Sequence, residues 1–86
     1  MGESVSDRAD RIAARAERAA DRARAERERA DEADEHADDE PDPDLAAVHR
    51  REATSHRSAS EVQDAAAESQ RVAAETLRSM ERDGGT

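Results

Sequence analysis

The residues whose types could do chemistry here are three histidines and the carboxylates near them. His49, Glu52 and His56 lie three and four positions apart and share one face of a helix. A tight reversal of the chain upstream would bring Glu35 and His36 beside His49. Imidazole and carboxylate together suit zinc or iron. The spacing is not that of an HExxH motif, and the paired Glu-x-x-His helices of two-iron bundles are absent. Little apolar surface is available to hold such ligands in place. No metal site and no cofactor are therefore expected from His36, His49, Glu52 and His56.

Two other chemistries can be weighed in the same way. Ser55, His56 and Ser58 put hydroxyls beside an imidazole, but no third group or pocket organises them, and no phosphate loop or cofactor fingerprint occurs. The chain is not expected to be an enzyme or to take a small-molecule substrate. Arg8, Arg11, Arg15, Arg18 and Arg22 form a basic strip that could meet phosphate. Through residue 30, however, eight arginines face seven acids, and the whole chain contains no aromatic residue to stack on a base. Phosphate-driven affinity needs uncompensated cations, so no nucleic acid is expected.

The elements that carry these side chains follow from composition. Among 86 residues, Leu, Ile, Val and Phe total 7 and the net charge is -9, a balance typical of chains that cannot bury a core. Against that stand 20 alanines, many Arg and Glu, and only three Gly and two Pro, all of which favour helix. All 14 basic residues are Arg, and Cys is absent, which excludes disulfides and thiol chemistry. The longest apolar run is LAAV at 45–48, so no membrane span is expected and the cytoplasm is the expected location.

Charge divides the chain. Residues 31–44 hold nine acids and no Arg, while residues 45–86 hold six Arg against seven acids. The acidic block also contains both prolines, Pro41 and Pro43. Asp42 reads as an N-cap with Pro43 in the first helical position. Ser4 reads as the cap of an earlier helix, and Gly84–Gly85 as a stop. The expected organisation is residues 1–4 disordered, helix 1 over 5–39, an acidic Pro-containing turn at 40–43, helix 2 over 43–82, and residues 83–86 disordered. The polar stretch 50–60 is expected to be the weak part of helix 2.

Helix 1 repeats every seven residues. Ala9, Ala16, Ala23, Ala30 and Ala37 form one line, Val5, Ile12, Ala19 and Ala33, broken once by Glu26, a second, and Arg8, Arg15, Arg22, Arg29 and His36 flank them. Helix 2 carries an uncharged line through Val62, Ala65, Ser69, Val72 and Thr76, flanked by Glu61, Glu68 and Glu75. An antiparallel pairing would set Arg8 against Glu75, Arg15 against Glu68, and Arg22 against Glu61. It would also layer Ala9 on Val72, Ile12 on Ser69, Ala16 on Ala65, Ala19 on Val62 and Ala33 on Val48. The expected fold is thus all-α: two long helices in an antiparallel helical hairpin, an alanine-rich coiled coil. Burying mostly alanine offsets chain entropy poorly, so the hairpin is expected to be marginally stable alone, with partial disorder its failure mode.

The functional expectation is a non-catalytic protein–protein interaction or assembly module, self-associating into a homo-oligomer or completing a helical bundle with a protein partner. One alternative is an acidic regulatory binder, inhibitor or antitoxin-like, that covers a basic surface through Asp31, Glu32, Asp34, Glu35, Asp38, Asp39 and Glu40. Another is a stress-protective hydrophilic protein. In being Ala-rich, highly charged and free of Cys and Trp, the chain is similar to late-embryogenesis-abundant proteins, although it lacks their lysine-rich eleven-residue repeat.

Overall fold

A computed structural model describes residues 2–84. They form two helices, α1 (Val5–Asp39) and α2 (Pro43–Gly84), packed side by side as a helical hairpin of 67 × 19 × 14 Å. The length is that of a single straight rod, since 42 residues at about 1.5 Å each span about 63 Å.

Local side chains set the helix ends. The Ser4 Oγ accepts a hydrogen bond from the Asp7 backbone N–H at 3.0 Å and caps α1. His36 sits in the last turn of α1. The chain reverses over Glu40–Asp42. The Glu40 carboxylate accepts from the Asp42 N–H at 3.1 Å, and the Asp42 carboxylate accepts from the Asp44 N–H at 2.9 Å. Pro43 opens α2, where its missing N–H leaves no donor unpaired.

One boundary expectation needs correction. α2 runs on through Asp83 to Gly84 rather than stopping at 82, and Gly84 has ordinary helical φ. The expectations for Met1, Gly85 and Thr86 lie outside the described residues. The stretch 50–60 is continuous helix. Several of its polar groups are occupied: Thr54 Oγ1 donates to the Arg50 carbonyl at 3.1 Å, while His56, Arg57 and Ser60 each meet a partner on α1. Ala53 in the same stretch is fully buried.

Alanine makes the interior. On α1 the buried residues are Ala9, Ala16, Ala19, Ala23, Ala30, Ala33 and Ala37, the face expected from its repeat. On α2 they are Ala46, Ala53, Ser60, Ala67 and Ala74, one every seven residues. Between these lie His49, His56, Gln63, Gln70 and Leu77, all half-buried. No large side chain is fully buried.

This overturns the expected face of α2. Val62, Ala65, Ser69, Val72 and Thr76 are exposed and do not layer on α1. The buried line stands two positions earlier in the repeat, and two residues turn a helix by about 200°. Steric bulk explains the choice. Alanine and one serine at every seventh position let α2 settle closely against an alanine-lined α1, whereas valines would hold the axes apart.

Candidate functional site

Rotating α2 also changes which charges meet. None of the expected pairs of Arg8, Arg15 and Arg22 with Glu75, Glu68 and Glu61 forms. Arg22 Nε donates instead to Gln63 Oε1 at 3.2 Å. Glu68 and Glu75 face residues of their own helix, Arg71 at 3.7 Å and Arg82 at 3.4 Å. Arg8, Arg15 and Glu61 make no ion pair among the described residues and are exposed.

The arginine–aspartate pairs between the helices run along one side of the hairpin. Arg27 bonds both the Ser60 hydroxyl at 3.0 Å and Asp64 at 2.8 Å. Arg57 reaches Asp34 and, at 3.5 Å, Asp31. Arg78 meets Asp10 at 3.0 Å, and Arg50 meets Asp38 at 3.8 Å. Asp34 and then Asp31 hold the Arg57 guanidinium above its usual range. A shallow cleft of about 290 Å³ lies on this side, lined by Arg27, Asp31, Arg57, Ser60, Glu61 and Asp64.

These contacts change the standing of the acidic block. Asp31, Asp34 and Asp38 are partnered by arginines of α2, and Glu40 is used in the turn. Glu32, Glu35 and Asp39 are exposed and pair with no arginine of α2 among the described residues. Sequence reasoning missed Arg50 and Arg57 as their counter-charges. The repeat could have shown them, once Ala53 and Ser60 were recognised as the inner line.

The histidines are brought to the interface but not to one point. His56 Nδ1 lies 2.6 Å from Glu26 Oε2. That hydrogen bond holds the Glu26 carboxyl below the usual range, against the opposing effect of burial and with Arg29 adding at 2.9 Å. His49 packs edge-on against His36, ring centres 5.6 Å apart, and its Nδ1 stands 3.7 Å from Glu52. Among the described residues no group of three or more His, Asp or Glu side chains is arranged to hold a metal. A cleft of about 170 Å³ between the helices is lined by Arg29, Glu32, Ala33, His36, Glu52 and His56.

The feature left without a partner is the outer face of α2. Six of the eight larger apolar side chains among the described residues are exposed: Val5, Leu45, Val48, Val62, Val72 and Met80. All but Val5 stand on α2, on the face turned away from the ion-paired side. From Ser55 to Met80 this face is uncharged: Ser55, Ser58, Val62, Ala65, Ser69, Val72, Thr76 and Met80 follow one another along it. Arg51 and Glu52 bound it at one end. Glu61, Glu68 and Glu75 line one edge. The other edge is Ala59, Ala66 and Ala73, beyond which comes α1: Arg22 and Arg29 share a cleft with Ala59 and Gln63. The seven-residue repeat of both helices carries the same neighbourhood to Arg15 and Arg8. The outer face is thus an uncharged strip between a row of glutamates and a row of arginines. The chain matches no protein-family model, no curated protein and no solved structure.

Proposed function

We propose that this chain is a non-catalytic helical interaction module, and that the uncharged outer face of α2 is its working surface. One observation carries the reading: the hairpin buries eleven alanines and leaves Val62, Val72 and Met80 in water, at 66%, 56% and 62% exposure. A small domain that spends its few large apolar groups on a continuous exposed strip has an interior made of two helices and a surface suited to receive more. The reading assigns no catalysis, cofactor, nucleic acid or small molecule to the chain. It assumes the cytoplasm; no helix among the described residues is long and apolar enough to cross a membrane.

The test compares the chain with Val62→Asp/Val72→Asp. Both positions are exposed, so the hairpin keeps its helicity by circular dichroism. The wild type forms a complex, with itself or with a protein retained from its native cell, and the variant does not. Identical association of the two proteins overturns the reading.

The acidic block supports a second reading as a binder of basic surfaces, carried by the exposed Glu32, Glu35 and Asp39. Neutralising those three abolishes salt-sensitive capture of a basic protein if it holds.

A further inference from the structure

We infer that the occupant of the outer α2 face is a second copy of this chain, docked with its α2 parallel to the first about a two-fold axis running along the helices. The inference rests on the reading above and adds the partner and its orientation.

The orientation follows from the two charged edges. In an antiparallel pair, like edges of the two helices meet. Glu61, Glu68 and Glu75 of one copy would face the same glutamates of the other, and the arginine rows of the two α1 helices would lie on one side together. Like charges set opposite one another disfavour that arrangement. In a parallel pair each edge meets the opposite one. The glutamate row of one copy then lies over the edge Ala59, Ala66 and Ala73 of the other, on the side where that copy carries Arg8, Arg15 and Arg22.

The levels agree as well. Arg22 bonds Gln63 and Arg27 bonds Ser60 within the hairpin. Counting along both helices from there sets Glu61, Glu68 and Glu75 within one turn of Arg22, Arg15 and Arg8. A two-fold along the helices keeps each copy at the same height, so the offset is preserved between chains. The face is self-complementary, as an isologous interface requires. The arginine and glutamate ladders, three residues each at a seven-residue spacing, answer one another between molecules rather than within one.

The experiment uses the full chain, which has no cysteine of its own. Sedimentation equilibrium is expected to show a mass of two chains, and Val62→Asp/Val72→Asp to show one with helicity retained. Val62→Cys and Val72→Cys are then oxidised separately and as a mixture. The parallel dimer sets each residue opposite its own copy, so each single variant links to itself. If neither variant links alone and disulfides form only in the mixture, joining a Val62→Cys chain to a Val72→Cys chain, the packing is antiparallel and the inference is overturned. Reversing Glu61, Glu68 and Glu75 to Arg weakens the parallel dimer by about tenfold, and reversing Arg8, Arg15 and Arg22 to Glu in the same chain restores it. An unchanged dimer after the first reversal also overturns the inference. A purified chain that stays monomeric to millimolar concentration, yet forms a complex with another protein that Val62→Asp/Val72→Asp abolishes, overturns the second copy and leaves the module reading standing. No association sensitive to that variant removes both.

Discussion

Glu26 of α1 and His56 of α2 meet across the helix interface, Nδ1 to Oε2 at 2.6 Å, at the half-buried edge of an otherwise alanine interior. The carboxyl is held below its usual value of 4.5 by that hydrogen bond, with Arg29 assisting. A depressed carboxyl stabilises the fold above its unfolded pKa, and the contribution is lost as pH falls through the lowered folded value. Glu26→Gln is therefore less stable than the wild type at pH 7, and the two converge as pH falls through the lowered folded value. Urea midpoints at pH 7 and pH 3 check this. A difference that does not shrink in acid assigns the contact no carboxylate contribution.

Ala53 tests how closely the helices approach. It is fully buried and in contact with Ala30 and Ala33. Ala53→Leu inserts three carbons where no space exists and costs about 1–3 kcal/mol. In a hairpin of small reserve that loss abolishes most helicity at room temperature. Ala65→Leu, on the exposed face, leaves the monomer's thermal midpoint within a degree or two of the wild type. Equal effects at the two sites would mean that the buried line of α2 is misassigned.

Asp42 holds the start of α2 by accepting the Asp44 N–H at 2.9 Å. Asp42→Ala removes that cap and lowers stability by about 1 kcal/mol. Asp42→Asn retains most of it, because the amide oxygen accepts the same bond. Denaturant titration followed at 222 nm separates the three proteins.

The alignment of the helices can be read by thiol cross-linking in dilute solution. Arg27→Cys with Asp64→Cys replaces an ion pair at 2.8 Å. A short bis-thiol reagent is expected to bridge that pair within one chain. Arg15→Cys with Glu68→Cys stands on different sides of the hairpin and forms no bridge within the monomer. Bridging of the second pair in the monomer would restore the alignment in which Arg15 faces Glu68.

How much of this could be read beforehand depends on how local each cause is. Ser4, Asp42 and Pro43 mark helix ends through contacts two or three residues long, so those ends and the all-α hairpin are legible, whereas the end of α2 at Gly84 is not. The alanine line of α1 was legible too, because that helix has one uncharged face. α2 has two. Its glutamate-edged face with Val62 and Val72 carries the stronger apolar signal. The face with Ala46, Ala53, Ser60, Ala67 and Ala74 carries the better fit to alanine. Apolar content favours the first and steric fit selects the second, and only three-dimensional packing weighs one against the other. The pairing of Asp31, Asp34 and Asp38 with Arg50 and Arg57 is not legible for the same reason: it depends on the rotation of α2. The outer strip is visible in the sequence, but α1 is not its neighbour.

An interior built of methyl groups has a thermal consequence. The heat capacity gained on unfolding scales with the apolar area newly wetted, and alanine brings little. The free-energy curve of this hairpin is therefore shallow: the temperature of greatest stability is weakly marked, cooling weakens the fold less than it weakens a leucine-cored bundle, and helicity falls over a broad span on heating instead of at a sharp midpoint.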